Sequence, residues 1–240
     1  MKTIDNREQI LDMINNDFAN NSNCVFFVQC LQRKKDGNEN DNKPVFQYSI
    51  DRADKAERII NRAVAIAEEK NARVYVSIAP KDKASCLLRL AQSCIDATLN
   101  KDGLNKSFES IMYGALARHT VSSNPRVLFD FDVSLDSEEG VMMVEFFDMI
   151  FNTIEDLKNK KHYVFETPNG FHIVCDSYGY VCDEVINLIT KKEKEFLIKN
   201  FASNRHKTIE DAKKANVKQL FSSILHKESA GTVVYYKSIQ

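Results

Sequence analysis

The chain has 240 residues with a formal net charge of −1; 43% of the residues are apolar and 28% are charged. This length can bury a full core, in one domain or in two small ones. The balanced charge argues against a broadly basic surface that coats nucleic acid, although it is compatible with a local basic groove. The six cysteines contain no C-x-x-C pair and no zinc spacing, which predicts reduced thiols. We also expect a soluble cytoplasmic protein with no membrane partner, because no apolar run reaches membrane length and the N-terminal residues are too polar for a signal peptide.

The N-terminal half, about 1–122, alternates between helical and strand patterns. The predicted elements are a helix at 4–18, a long-looped hairpin of strands at 24–31 and 45–50, a helix at 51–69, a strand at 73–79, and helices at 82–100 and 105–119. Asp51 is expected to cap the helix at 51–69. This helix would cross over between strands in a β-β-α-β order. The apolar faces of the last two helices are expected to be core faces.

The C-terminal half, about 123–240, carries the chemically informative motifs. Its predicted elements are a strand at 126–133, an apolar helix at 137–157, strands at 162–165 and 171–176, helices at 181–202 and 208–225, and a strand at 231–239. Together the halves predict a single α+β domain over residues 1–240. We expect a mainly antiparallel mixed sheet with helices packed on it.

Two aspartates share one face of the strand at 126–133. Alternation places Asp130 and Asp132 on the same side, whereas Phe129 and Phe131 point to the other. Neighbouring carboxylates repel each other, and a divalent cation such as Mg²⁺ or Mn²⁺ is the usual compensation for such hard oxygen ligands. The alternative is an edge strand that presents acids to solvent as protection against edge pairing. The apolar residues on both sides of the pair favour a central strand and therefore a functional site.

A polar turn followed by a histidine is the second motif. Thr167-Pro-Asn-Gly170 precedes the strand that carries His172, and Gly170 is expected to supply the φ > 0 that a tight turn needs. Backbone N–H groups and small polar side chains in such a turn suit an anionic phosphate, to which His172 could also donate. A plain hairpin turn with an uninvolved histidine is the alternative.

The order of these motifs resembles the catalytic core of the archaeo-eukaryotic primase superfamily, which includes the primase-polymerases of phages and plasmids. The resemblance covers roughly residues 125–176: a hydrophobic-Asp-x-Asp strand, a helix, and a Thr-x-x-Gly-x-His strand. It implies an RRM-like primase core in which Asp130 and Asp132 bind two metal ions. The residues implied to contact the phosphates of the incoming nucleotide are Thr167, Asn169, Gly170 and His172.

The chain departs from this family in its third acidic residue and its zinc element. Asp176 shares the His172 face, and Glu228 precedes the last strand in about the expected order; either is a candidate metal ligand. Lys227 is a candidate phosphate contact beside Glu228. The zinc-binding element of many primases has no counterpart here, because the cysteine spacing is wrong.

The resemblance implies a nucleotidyltransferase that transfers a nucleotide to a 3′-hydroxyl by two-metal chemistry. Its implied partners are nucleoside triphosphates, a single-stranded DNA or RNA template, and a helicase or other replication protein. The implied location is the cytoplasm of a bacterial or phage-infected cell. Basic residues are candidates for guiding the template, namely Arg73, Lys81, Arg118, His119 and the run from Arg205 to Lys207.

Two further functions stay open at this point. Residues 129–135 also resemble the first motif of haloacid-dehalogenase-type phosphatases, with Asp130 as nucleophile and Asp132 as acid/base. Those enzymes require a parallel doubly wound sheet and a later acidic pair, which Asp183-Glu184 matches only in composition. The other alternative is a non-catalytic phage or plasmid accessory protein that kept the primase fold to bind nucleotides or nucleic acid.

Overall fold

The computed structural model describes residues 3–100, 111, 126–153, 158, 161–176, 225–227 and 231–237. The chain forms two compact units, one of Met1–Asn124 with Ser229–Gln240 and one of Pro125–Glu228. The predicted halves divide close to the same point, but residues 229–240 return to the first unit. A single domain over the whole chain stays a prediction. The predicted helices at 105–119, 181–202 and 208–225 lie outside the described residues, apart from Ile111 and Leu225.

The first unit contains an antiparallel sheet with helices beside it. Its elements are β1 (Thr3–Asp5), α1 (Arg7–Asn20), β2 (Cys24–Gln32), β3 (Lys43–Ile50), α2 (Ala53–Lys70), β4 (Arg73–Ser77), β5 (Lys81–Asp82), α3 (Lys83–Leu99) and β10 (Gly231–Lys237). The strand order is β1-β10-β4-β2-β3, and β5 pairs with the beginning of β2. The predicted β-β-α-β order is confirmed, with α2 connecting β3 to β4 on opposite sides of β2.

The apolar face of α2 forms much of the core of the first unit. Its buried residues recur at helical spacing, and they are Ala56, Ile59, Ile60, Ala63, Val64 and Ala67. The prediction that Asp51 caps this helix is wrong. The N-cap is Arg52, which makes no side-chain cap bond. Asp51 instead accepts a hydrogen bond from Nζ of Lys55 at 3.0 Å, since the carboxylate lies one helical turn before that ammonium group.

A buried ion pair holds the loop between β2 and β3. Nε of Arg73 donates to Oδ2 of Asp36 at 2.6 Å, and the two side chains are only 5% and 3% exposed. The Arg73 guanidinium also lies 4.6 Å from the ring centroid of Tyr236. Breaking such a pair would leave an uncompensated buried charge. Arg73 therefore has a structural role. Its predicted role as a template contact is wrong, because the side chain is buried against Asp36.

The apolar face of α3 is exposed, contrary to the expectation of a core face. The helix begins as its sequence suggests, because Asp82 at the N-cap accepts the Ser85 N–H at 2.7 Å. Of its residues only Cys86 is buried. The exposed side chains are Leu87 at 60%, Leu88 at 73%, Ile95 at 53% and Leu99 at 77%. Helical periodicity therefore predicted the helix correctly but not what its apolar side contacts.

Replacing Leu88 by glutamine is expected to change the free energy of unfolding by no more than about 0.5 kcal/mol, as for most surface substitutions. The reason is that this side chain is 73% exposed and contributes little buried area. Urea denaturation of both proteins measures the difference. A loss of several kcal/mol would mean that α3 packs its leucines against the rest of the chain.

The second unit contains an antiparallel sheet and one long helix among its described residues. The elements are β6 (Arg126–Phe131), α4 (Glu138–Thr153), β7 (His162–Glu166), β8 (Phe171–Asp176) and β9 (Leu225–Lys227). The strand order is β7-β8-β6-β9. Ser137 caps α4, since its Oγ accepts the Gly140 N–H at 3.0 Å. Phe147 of α4 packs on Phe129 and Phe131 of β6, with ring centroids 5.0 Å and 5.5 Å apart.

The protein is thus α+β with antiparallel sheets, as predicted. The described strands form two sheets and not one mixed sheet, and every pairing among them is antiparallel. No helix in the described part of the chain combines the length and the apolar character needed to span a bilayer.

Candidate functional site

Strand β6 lies in the interior of its sheet, with β8 on one side and β9 on the other. Phe129 and Phe131 are 2% and 3% exposed on the face that meets α4, and Leu128 on the opposite face is 1% exposed. The alternative of a solvent-facing edge strand is therefore wrong. A carboxylate in an interior strand lacks the explanation that edge protection would supply.

The structure brings Asp130 and His172 together. The two residues are direct partners in the antiparallel β6–β8 register, so their side chains emerge on the same face. Nε2 of His172 lies 3.2 Å from Oδ1 of Asp130, and the side chains are 12% and 26% exposed. This distance is within hydrogen-bond range. The pair is thus partly solvated, on the same face of β6 as the buried Leu128.

Asp132 lies just beyond the end of β6 and is exposed. Its strand partner would be on the turn side of β8, because the register runs from Asp130↔His172 to Phe131↔Phe171. The turn between β7 and β8 therefore lies beside the backbone of Asp132, the second carboxylate.

The Thr167–Gly170 turn closes on itself. Gly170 N–H donates to Oγ1 of Thr167 at 3.0 Å, and Thr167 N–H donates to the Gly170 carbonyl at 2.8 Å. Thr167 is 7% exposed, whereas Asn169 is exposed at the tip. The N–H of Gly170 is thus engaged inside the turn. Asn169 is the member of this turn that presents its side chain to solvent.

Gly170 is required by a close approach and not by a left-handed backbone. The expectation of φ > 0 at this residue is wrong, since Gly37 is the glycine with positive φ in the described part of the chain. A Cβ on Gly170 would lie 1.8 Å from the carbonyl oxygen of Phe131 and 3.0 Å from the backbone nitrogen of Val133. The turn therefore packs directly against the backbone between Asp130 and Asp132.

Lys81 is half-buried in β5, and the other predicted site residues are placed only by their backbone or not at all. Lys227 ends β9, where it pairs with Leu128 of β6, so its backbone lies beside the Asp130 strand. Asp176 ends β8 opposite Arg126. Glu228 lies outside the described residues, as do Arg118, His119, the Arg205 to Lys207 run and Asp183-Glu184. Their predicted roles stay predictions.

The donor chemistry of the site fits a hard divalent cation. Mg²⁺ is usually held by one or two carboxylates together with phosphates and water, and Asp130 and Asp132 offer two carboxylates. A carboxylate accepts from about four directions, so a bond from His172 is compatible with a bond to a cation. Within the described residues no group of three or more His, Cys, Asp and Glu side chains comes together as a metal site.

A second Asp–His pair in the same unit was not predicted from the sequence. Nε2 of His162 lies 2.6 Å from Oδ1 of Asp148, and the imidazole stacks on Phe151 at a centroid distance of 4.5 Å. This pair joins β7 to α4. His162 pairs with Cys175 of β8, and Cys175 pairs with Val127 of β6, so the histidine lies on the face of the sheet opposite Asp130. The stacking indicates a packing contact. No local sequence pattern connects Asp148 with His162. Predicting the contact would have required knowing how α4 packs against β7.

A small pocket in the first unit is a weaker candidate. It has a volume of about 160 Å³ and is lined by Ala67, Glu68, Asn71, Ala72, Tyr235 and Lys237. Its polar groups satisfy one another, since the Tyr235 hydroxyl donates to Oε1 of Glu68 at 2.6 Å and Nζ of Lys237 lies 3.7 Å from the same oxygen. Burial, together with the bond to Glu68, raises the pKa of Tyr235 to about 12. Because these polar groups already bind one another, we interpret the pocket as part of the packing of the first unit and not as a ligand site.

Comparison of the chain with models of protein families, with curated proteins and with solved structures found no match.

Proposed function

We propose that the protein is a metal-dependent nucleotidyltransferase that resembles a primase or primase-polymerase. The proposal depends on one observation: Asp130 and His172 are 3.2 Å apart across neighbouring strands, at the end of β6 where Asp132 follows. Two carboxylates and an imidazole at the same strand end suit a cation and a triphosphate together. An RRM-like primase core is part of this proposal.

Each residue of the site would have a separate task. Asp130 and Asp132 would hold Mg²⁺ or Mn²⁺ through their carboxylates, which is the ligand type that these cations prefer. His172 would orient the Asp130 carboxylate through Nε2 and contact the triphosphate. Asn169 would bind phosphate oxygens at the exposed tip of the turn, while Thr167 and Gly170 hold the turn in shape. Lys227, with Glu228 or Asp176 as a third acid, would complete the site.

The metal ions, when bound, would supply the charge that activates the attacking 3′-hydroxyl and stabilises the departing pyrophosphate. The protein would contribute mainly position and electrostatic complementarity, which is the usual division of labour in phosphoryl transfer. The rigid support is already built, since β6 is paired on both sides and Gly170 packs on its backbone. The substrates would be nucleoside triphosphates and a single-stranded DNA or RNA template, with a helicase or other replication protein as a further partner.

The haloacid-dehalogenase alternative fits the site less well. Those phosphatases carry their nucleophile on a parallel strand, whereas β6 is antiparallel to both β8 and β9. A non-catalytic protein that binds nucleotides through the same residues is the second candidate function. It would need the Asp130–His172 pair but no third acidic ligand.

The test is primer synthesis on single-stranded DNA with nucleoside triphosphates and Mn²⁺. We expect extended products with Mn²⁺ and none after chelation, because the two carboxylates need the cation to hold the triphosphate. Hydrolysis of p-nitrophenyl phosphate by the same preparation would favour the phosphatase. Nucleotide binding that survives Asp130→Ala, with no turnover in the parent protein, would favour the non-catalytic protein.

A further inference from the structure

Two aromatic rings lie side by side at the edge of the first unit's sheet. Phe46 and Tyr48 are two residues apart on β3, the last strand in the sheet order. Their ring centroids are 6.2 Å apart and their planes differ by 8°. Tyr48 is 44% exposed. A large ring is normally worth burying or using at an interface, so the packing of this unit does not explain why the ring remains in solvent.

Arg62 on α2 borders these rings, and Arg58 lies on the same helix. The guanidinium of Arg62 lies 5.9 Å from the ring centroid of Phe46. Arg58 precedes Arg62 by one helical turn, so both occupy one face of the helix, and both are exposed. Neither forms an ion pair with any described residue. Other arginines of this unit do pair with aspartates, namely Arg7, Arg33, Arg52 and Arg73.

The rings and the arginines share one side of the sheet. Phe46 is the register partner of Cys30, and Tyr48 is the partner of Val28. The Cys30 thiol contacts the Ala63 carbonyl of α2 at 3.3 Å, so this side is the one that α2 covers. Phe46 and Tyr48 therefore extend the helix-covered face outward, to where Arg62 reaches over the first ring.

We propose that Phe46, Tyr48, Arg58 and Arg62 form a binding surface for single-stranded nucleic acid, which we call the aromatic–arginine surface. An exposed ring such as that of Tyr48 accepts stacked bases of any sequence, while arginines bind backbone phosphates and stack as well. An acidic peptide would need the arginines but not the parallel rings, and an apolar partner would need the rings but not the unpaired charge. Arg58 and Arg62 also bring two exposed positive charges to one place on a chain whose net charge is −1.

This inference deepens the proposed function by locating a strand-binding surface outside the Asp130 site, and a template strand is its ligand in that setting. Binding is nevertheless measured without nucleotide or metal, so the two proposals fail separately. Primer synthesis together with unchanged strand binding in Tyr48→Ala would overturn the surface alone. Strand binding that depends on Tyr48, without any synthesis, would support the surface and overturn the proposed function.

The experiment follows the fluorescence anisotropy of a labelled oligothymidine of about 20 nucleotides, a length that exceeds the usual site size. Tyr48→Ala in the full chain is expected to weaken binding about tenfold, the loss of roughly one stacked base. Tyr48→Phe keeps the ring and is expected to bind like the parent. Tyr48→Leu keeps apolar area without a ring, so binding equal to the parent in this variant would overturn the stacking argument.

The arginines are tested by the salt dependence of the same binding. Arg62→Ala is expected to make the slope of log K against log salt shallower by about 0.7, the share of one phosphate contact on a single strand. Arg52→Ala is the matched control, because it removes the same charge from the start of α2 where the side chain pairs with Asp54. An equal change of slope in both variants would overturn the surface. Competition by polyglutamate as strong as by unlabelled oligothymidine would also overturn it and identify an acidic peptide site.

Discussion

Replacing Asp130 by asparagine is expected to lower the rate of primer synthesis at least about a hundredfold, the scale of losing one preorganised charge contact in an active site. Asparagine keeps the size and one oxygen of the side chain but removes the negative charge that would hold a divalent cation. It also removes the charge 3.2 Å from Nε2 of His172, although the remaining amide oxygen can still accept from the imidazole. Initial rates of nucleotide incorporation, measured at saturating Mn²⁺, give the loss.

The matched control is Asp136→Asn. Asp136 is an exposed aspartate in the connection between β6 and α4, so the same charge is removed a few residues from the site. We expect its rate to stay near that of the parent protein. Equal rates in the two variants would contradict a role for Asp130 in catalysis. Thermal unfolding of both variants checks that any loss arises in the site and not in the fold.

Strand β6 shows how much of the site could be predicted from the local sequence pattern. Period-two alternation predicted the strand, and the apolar residues flanking Asp130 predicted an interior position, which the pairing with β8 and β9 confirms. The expected meeting of Asp130 with His172 needed more than pattern. It depends on the register between β6 and β8, which the turn before Phe171 and the packing of Gly170 determine together. A register shift of one residue would send His172 to the opposite face.

Several of the incorrect predictions share a physical cause, since they concerned what a residue contacts across the chain. The leucines of α3 have helical spacing, but spacing carries no information about whether another element covers them. Arg73 looks like any surface arginine in the sequence, yet the loop after β2 folds back and buries it with Asp36. The second Asp–His pair was invisible for the same reason. Local propensity is encoded in neighbours, whereas these contacts are decided by tertiary packing.

Replacing Gly170 by alanine is expected to lower the free energy of unfolding by about 3 kcal/mol, the upper range for an overpacked site. The new Cβ would lie 1.8 Å from the Phe131 carbonyl oxygen, and that oxygen belongs to the backbone of an interior strand. A flexible side chain could rotate away from such a contact, but the backbone of Phe131, which pairs with Phe171 of β8, cannot move without straining the hydrogen bonds of the sheet. Urea denaturation of the variant and the parent measures the difference.

Gly37→Ala separates the effect of contact from that of backbone conformation. Gly37 has φ of 84° and nothing within 4 Å of an added Cβ, so alanine there meets only the left-handed penalty of about 1 kcal/mol. Equal losses at both glycines would show that the turn does not press on β6. A larger loss at Gly170 would locate the strain between the two aspartates, because the turn can relieve the collision only by moving away from Phe131 and Val133.

In Gly170→Ala, strand binding at the aromatic–arginine surface is expected to be retained while primer synthesis falls, since the displaced turn would carry Asn169 away from Asp132.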